Sequence, residues 1–260
     1  MFKNRKPEIK VKYSKNFKIA IGIFNGVHLV HMQVIEKAHR VLTFHPHPAQ
    51  VSFNAHSRRH KIELLTTLPE RSALINNLDV VSFTRSLCRF TPDQFVKNIL
   101  VKKYHPSEVI VGFDFRFGNK RAGDVQTLKR LGKKYGFLVT VIKPFHVNRQ
   151  LIKSSLIREA LKKGQVLKAN RWLGREYFLT GKITKGFGRG RQTGFPTANL
   201  KVDAHKLVPG TGVYACHAIV NNRSYRAAVN IGFQPTFGTG RHQIEAHLLN
   251  YQGPALTGKP

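Results

Sequence analysis

The periodicity of apolar residues changes character part-way along the chain, and that change restricts the folds open to it. Through the first 150 residues, strand-like and helix-like segments alternate. Lys18–Phe24 reads as a β-branched strand, His31–Arg40 as a helix, and Val41–Phe44 as a second strand stopped by Pro46 and Pro48. Ile62–Asn76 has helical spacing and Val80–Phe83 is extended. Thr91–Lys103 reads as a helix with Thr91 as N-cap and Pro92 at its first position. Glu108–Phe113 and Phe137–Ile142 are strands on either side of the helix Asp124–Tyr135, and Ser154–Lys163 is a helix ended by Gly164. Such alternation predicts a parallel α/β sheet. Beyond about Gly174 the helical pattern disappears. Short strands between Gly, Pro and Asn turns replace it, at Phe178–Thr184, Gly212–Val220, Ser224–Ile231 and Gln243–Asn250, which predicts a small antiparallel barrel or sandwich. The boundary falls near residues 165–176. One connection is cramped: residues 25–40 must carry the chain from the first strand to the second, close to the roughly dozen residues a parallel crossover needs.

A chain of 260 residues accommodates both domains. Its 41% hydrophobic and 22% charged residues exclude a disordered or fibrous chain. The two cysteines, Cys88 and Cys216, cannot make a disulfide framework and suit a reducing cytoplasm. No apolar run is long enough to span a bilayer, and Asn25 and His28 interrupt the apolar stretch that a signal peptide would need. No membrane partner is expected.

Charge is the outlying property. Lys and Arg number 44 against 13 Asp and Glu, a formal net charge of +31. Such a chain attracts polyanions, so nonspecific nucleic-acid binding is expected at low salt. The basic residues run from Lys3 to Lys259 as singles and pairs, however, and not as a tail or block. That spread favours a compositional bias over a dedicated nucleic-acid-binding protein, and the chain is expected to be a monomer or weak oligomer.

Gly22-Ile-Phe-Asn-Gly26-Val-His28-Leu-Val-His31 lies where the first strand gives way to a helix. In open α/β sheets, ligands bind at such strand ends, where helix N-termini favour phosphate. His28 and His31, three apart, share a helix face and could hold a triphosphate, share a metal ion, or be a partly buried structural pair. Neither this pair nor His45/His47 has a cysteine cluster beside it, so no permanent metal is expected.

This segment resembles the G-x-F-D-G-x-H-x-G-H motif of the adenylyltransferase module in bacterial bifunctional riboflavin kinase/FAD synthetases. Three further stretches follow in family order. Leu42-Thr-Phe-His-Pro-His-Pro48 is similar to T-F-x-P-H-P, and Val111-Gly-Phe-Asp-Phe-Arg-Phe-Gly-Asn-Lys-Arg-Ala-Gly-Asp124 to V-G-x-D-F-R-F-G-x-x-R-x-G-D. Lys153-Ser-Ser-Leu-Ile-Arg158 is similar to S-S-T-x-I-R with the Ser/Thr positions altered. The resemblance implies adenylylation of FMN, in which the FMN phosphate attacks the α-phosphorus of ATP. It implies phosphate contacts from Gly22, Phe24, His28 and His31, hydroxyl contacts from Ser154 or Ser155, and stabilisation of pyrophosphate by Arg158. Asp114 and Phe115 would lie near nucleotide and flavin.

A second motif, Gly181-Lys-Ile-Thr-Lys-Gly186-Phe-Gly-Arg-Gly190-Arg-Gln-Thr-Gly194-Phe-Pro-Thr197-Ala-Asn199, is neither a Walker loop nor a dinucleotide fingerprint. By itself it is a phosphate loop or a glycine-cornered hairpin. It resembles the riboflavin kinase signature G-x-x-x-G-R-x-x-G-F-P-T-A-N, and Gly212-Val-Tyr-Ala215, Asn230-Ile-Gly232, Pro235-Thr-Phe-Gly238 and Ile244-Glu-Ala-His-Leu-Leu249 fit the same module. The resemblance implies phosphorylation of riboflavin by ATP. Gly186, Gly190 and Thr197 would contact phosphate, Thr197 and Asn199 would hold the magnesium that accompanies ATP, and Glu245 would be the general base.

The expected fold is therefore α/β: a nucleotidyltransferase-type parallel sheet domain over 1–165, followed by a small antiparallel β-barrel riboflavin kinase domain over 176–260. The expected partners are ATP, riboflavin and FMN. The chain departs from the family pattern at Ile23, Asn25 and Val30, lacks roughly a dozen residues after Lys37, which agrees with the short crossover, and ends at Pro260 without the family's closing C-terminal helix. These departures lead to the expectation that one or both activities are impaired. The alternatives are a noncatalytic ATP- or flavin-binding remnant and a basic nucleic-acid-binding protein. If the charge is compositional, affinity for structured RNA measured by filter binding will be lost by about 0.2 M salt; retention above that salt would restore the nucleic-acid reading.

Overall fold

The computed structural model describes residues 16–52, 62–147, 150–184, 196–233 and 242–253. Packing divides them into two compact units. The first comprises the described residues up to Phe24, from Val30 to 52, and Ile75–Phe145. The second comprises Asn25–Leu29, the described residues up to Leu74 from 62, and the chain from His146.

In the first unit, β1 (Lys18–Ile21), β2 (Arg40–His45), β3 (Leu78–Ser82), β4 (Glu108–Gly112) and β5 (Leu138–Ile142) form a parallel sheet in the order β3-β2-β1-β4-β5. One face carries Ile19, Ile21, Leu42, Phe44, Val109 and Val111, packed with Val96, Leu100, Leu128 and Leu131 of the crossover helices. Ala20, Val41 and Ile110, on the opposite face, are buried as well. Burial on both faces is what a parallel sheet needs, and explains why these strands read as continuous apolar runs. The strand order reverses between β1 and β4, so the carboxyl ends of these two strands form the crevice where such sheets hold ligands.

The caps follow the sequence closely. Thr91 and Gln94 form a reciprocal capping box, with the Gln94 amide on Thr91 Oγ1 (3.2 Å) and the Thr91 amide on Gln94 Oε1 (2.9 Å). The helix begins as Pro92–Phe95, continues through a π-helical stretch, Val96–Val101, and finishes as Lys102–Tyr104. Asp124 caps Val125–Tyr135 by accepting from the Thr127 amide, and Gly136 in the left-handed conformation ends it.

Several segments differ from expectation, three of them before residue 80. β1 stops at Ile21 because the chain turns left-handed at Phe24 (φ 48°) and Val27 (φ 43°). The helix that follows is Leu29–Ile35, so it starts earlier and ends well short of Arg40. The His39 amide already bonds the Lys18 carbonyl (3.0 Å), which lays the chain beside β1 and lets Arg40 open β2. The crossover is completed by a helix of only seven residues. The third segment, expected as a helix over Ile62–Asn76, is helical only at Leu68–Leu74. The backbone of Leu64 pairs instead with the Lys206 region, its amide on the His205 carbonyl and its carbonyl receiving the Leu207 amide.

The second unit contains the helices Ser154–Lys162 and Val166–Leu173, the latter unanticipated, and a two-stranded pair, β6 (His146–Val147) and β7 (Gln150–Leu151). Its antiparallel sheet comprises β8 (Gly181–Thr184), β9 (Ala198–Val202), β10 (Gly212–Val220), β11 (Arg223–Phe233) and β12 (His242–Leu248), in the order β10-β11-β12-β9-β8. Its apolar face gathers Ile183, Ala198, Ala218, Val220, Tyr225, Ala246 and Leu248. Strand alternation then puts Asn199, Gln243, Glu245 and His247 on the other face.

A buried ion pair ties this unit together. Lys206 Nζ lies 2.6 Å from Glu70 Oε2, with both side chains 1% exposed, and also donates to the Leu65 carbonyl (2.8 Å). Glu70 further accepts from the Thr67 amide and from the amide and hydroxyl of Thr180. The Tyr177 ring centroid is 4.4 Å from Lys206 Nζ. Burial nevertheless pulls the Lys206 pKa from 10.5 down to about 8, outweighing the favourable pull of Glu70. Removing one partner strands the other charge. Lys206→Ala is expected to cost about 3–5 kcal/mol in urea denaturation, whereas the apolar double variant Glu70→Leu/Lys206→Met is expected to recover most of that loss.

Candidate functional site

The residues picked out by motif fall into three groups. In the first unit, Gly22 and Phe24 follow β1, His31 lies in the first turn of Leu29–Ile35, and Asp114 and Phe115 follow β4. The Gly22 amide still bonds the Leu42 carbonyl (3.1 Å), so Gly22 continues the sheet's hydrogen bonding before the chain turns away. The buried Phe24 ring meets the edge of the His31 imidazole at 5.5 Å. Phe115 stacks on Phe117 and Asp114 is exposed. All five therefore belong to the carboxyl ends of β1 and β4 or to the helix that leaves β1.

The second group belongs wholly to the second unit and centres on the turn Asn25–His28. The buried Asn25 accepts the Leu65 amide (2.8 Å) and the Thr66 amide (3.3 Å) on Oδ1, while the Gly26 amide donates to Thr66 Oγ1 (3.0 Å). Its Nδ2 is buried with no hydrogen-bond partner among the described residues. Two backbone donors facing a single side chain suit a carboxylate better than an amide. Ser154 Oγ donates to the Asn25 carbonyl (2.9 Å), whereas Ser155 is exposed. Arg158 Nε donates to the Glu63 carbonyl (2.9 Å), and Arg175 Nη2 to the Gly26 carbonyl (2.7 Å). His28 is 3% exposed. Burial first, then the charges of Arg175 and Arg158, lower its pKa from 6.5 to about 4. At neutral pH it is therefore an uncharged hydrogen-bonding group, and the positive charge around the turn comes from the arginines. Val30, the largest departure from the family motif, is buried with Val34 one turn further along.

The third group is on β9 and β12. Glu245 and Asn199 are register partners. Gln243 Nε2 donates both to Asn199 Oδ1 (2.9 Å) and to Glu245 Oε1 (2.7 Å), fixing the two side chains relative to each other. Thr197 is exposed and stands immediately before β9, two positions from Asn199. Gly186 and Gly190 lie outside the described residues.

Sequence reading missed Gln243 and Arg175. Gln243 stands two residues before Glu245, a same-face spacing that could have revealed it. Arg175 follows the helix-ending Gly174 and had no motif of its own, since its role depends on a chain segment about 150 residues away.

Family models match twice: FAD synthetase over residues 10–156 and riboflavin kinase over residues 173–259. The bifunctional riboflavin kinase/FMN adenylyltransferase of Bacillus subtilis is 35% identical over 262 residues, covering 94% of this chain and 81% of its own. That of Listeria monocytogenes is 34% identical over 252 residues (91% and 79%), and that of Escherichia coli K12 is 31% identical over 248 residues (89% and 78%). The chain belongs to the bifunctional riboflavin kinase/FMN adenylyltransferase family. A solved structure described as a macrolide-efflux protein from Streptococcus pneumoniae superposes with a TM-score of 0.82 at 23% identity, covering 96% of this chain and 84% of that one, and so shares its fold.

The family's first motif carries a pH dependence in this member. Unfolded His28 takes a proton near pH 6.5 and folded His28 only near 4, so its contribution to stability is present above pH 6.5 and lost as pH falls toward 4. The loss is expected to be about 3 kcal/mol. Urea denaturation at pH 7 and pH 4 will read it as the difference between the wild type and His28→Gln, whose stability should fall less.

Proposed function

We infer that this family member is a transferase making both flavin cofactors: it phosphorylates riboflavin to FMN and adenylylates FMN to FAD, each with ATP. The observation that carries the reading is that Ser154 bonds the backbone of the turn presenting His28 and that Arg158, from the same distant motif, lies near enough to act on the His28 charge. The comparisons favour neither the noncatalytic remnant nor the nucleic-acid binder. No described helix is long and apolar enough to cross a membrane, and we assign the protein to the cytoplasm.

In adenylyl transfer, an oxygen of the FMN phosphate attacks the α-phosphorus of ATP, the bond to the bridging oxygen breaks, and pyrophosphate leaves with the electron pair. The protein forms no covalent bond; it positions the reactants and stabilises charge. His28 and His31 hold phosphate oxygens, with neutral His28 donating through its remaining N–H. Arg158, one of whose five donors is used by the Glu63 carbonyl, meets the growing charge of pyrophosphate. Ser154 holds the turn through the Asn25 carbonyl, and Ser155 offers an exposed hydroxyl. Gly22 and Phe24 shape the phosphate approach, and Asp114 and Phe115 face nucleotide and flavin.

In riboflavin phosphorylation, Glu245 accepts the proton of the ribityl hydroxyl as that oxygen attacks the γ-phosphorus, and ADP leaves. Thr197 and Asn199 offer hard oxygen donors that would hold a magnesium ion arriving with ATP, whose chemistry there would be to neutralise phosphate charge. Gly186 and Gly190 belong to the loop assigned to the phosphates. The Gln243 amide keeps the Glu245 carboxylate and the Asn199 carbonyl oxygen side by side.

Incubation with riboflavin, ATP and magnesium is expected to yield FMN and then FAD by chromatography. Glu245→Gln should lower FMN formation by roughly 10²–10⁴-fold while FAD still forms from supplied FMN, and His28→Ala should do the reverse. A wild-type chain yielding neither product would overturn the assignment.

A further inference from the structure

Arg175 belongs to the stretch matched by the riboflavin kinase family model, yet its side chain is joined to the turn that carries the first motif. Of its five N–H donors, one on Nη2 is used by the Gly26 carbonyl at 2.7 Å, and the guanidinium carbon lies 5.6 Å from the centroid of the Phe178 ring. Nε and Nη1 are buried with no hydrogen-bond partner among the described residues. Buried donors of a charged group left unused are costly unless a ligand takes them.

Glu70 favours the Arg175 charge from a distance, but the nearby acids make their direct contacts elsewhere. Glu70 is occupied by Lys206, Thr67 and Thr180, and the Glu63 carboxylate is paired with Lys162. What remains is a turn flanked by Arg158 and Arg175, with the imidazole of His28 near enough to feel both charges. Nε and Nη1 keep unused donors on two edges of a planar cation, and a phosphate group, with several acceptor oxygens, can take them.

We propose that Arg175 is a phosphate-holding residue of adenylyl transfer, contributed from the kinase-family stretch to the polyphosphate of ATP bound at the Asn25–His28 turn. The proposal rests on the reading of that turn as the adenylyl-transfer site. While the bond between the α-phosphorus and the bridging oxygen breaks, the electron pair passes to pyrophosphate, and Arg175 and Arg158 together meet its charge. Anchored by the Gly26 carbonyl, the guanidinium also fixes the turn it serves.

The test compares full-length wild type, Arg175→Ala and Arg175→Lys. Steady-state FAD formation from FMN and ATP, riboflavin phosphorylation, calorimetric binding of inorganic pyrophosphate and the melting temperature are all measured. Arg175→Ala is expected to lower kcat/KM for ATP in FAD formation by roughly 10–100-fold and pyrophosphate affinity by at least about tenfold. Riboflavin phosphorylation should stay within about twofold. Arg175→Lys should restore part of the pyrophosphate affinity, because it keeps the charge but loses the fork. Unchanged pyrophosphate affinity in both variants, or a lower melting temperature with equal losses in the two reactions, overturns the proposal. A wild type that makes no FAD defeats the reading of the site. Pyrophosphate affinity still decides on Arg175 in that case, since equal binding by wild type and Arg175→Ala overturns its role.

Discussion

The Lys206 ammonium, withdrawn from water against Glu70, is the interaction on which the organisation of the second unit depends. Its second hydrogen bond holds the Leu65 carbonyl, and the amides of Leu65 and Thr66 in turn hold Asn25. A residue just past β9 is thus linked through two hydrogen-bonded steps to the turn presenting His28. Such a chain of buried polar contacts is costly if any member is lost and specific when all are present. It also keeps residues 63–67 out of the helix that local periodicity alone favours.

Electrostatics around the turn separate two roles that the sequence motif merges. The imidazole of His28 is uncharged at neutral pH, so donation from its N–H to a phosphate oxygen would add no positive charge. Charge is left to guanidinium groups, whose protonation hardly varies with pH. The excess of basic residues over the whole chain does not produce this arrangement. It comes from the placement of Arg158 and Arg175 where the acids close by are already paired.

Local signals proved legible in the sequence and distant ones did not. Thr91, Pro92 and Gln94 specify a helix start through contacts within four residues, and Asp124 and Gly136 bracket another, so these boundaries could be read directly. Turn residues on either side located β10 as Gly212–Val220, whereas β9, the strand that pairs with Glu245, was not read from the sequence. The failures occur where remote segments override local preference. The helical spacing of Ile62–Asn76 gives way to the backbone of residues 205–207, and β1 is cut short by left-handed Phe24 and Val27. Pattern reading also passed over Val166–Leu173, because its eight residues fell within the expected boundary between the two domains. Resemblance to the family supplied the chemistry expected of Asn199 and Glu245; the same-face spacing of Gln243 hinted at its place, but its bridge between the two is a cross-strand contact that spacing does not give.

The buried partnership between Glu70 and Lys206 joins residues that the two family models assign to different modules. Severing the polypeptide at residue 165 would leave one fragment with an orphaned carboxylate and the other with an orphaned ammonium. Gene fission into two independent transferases would therefore require both positions to change together, so that neither product inherits a lone charge in its interior.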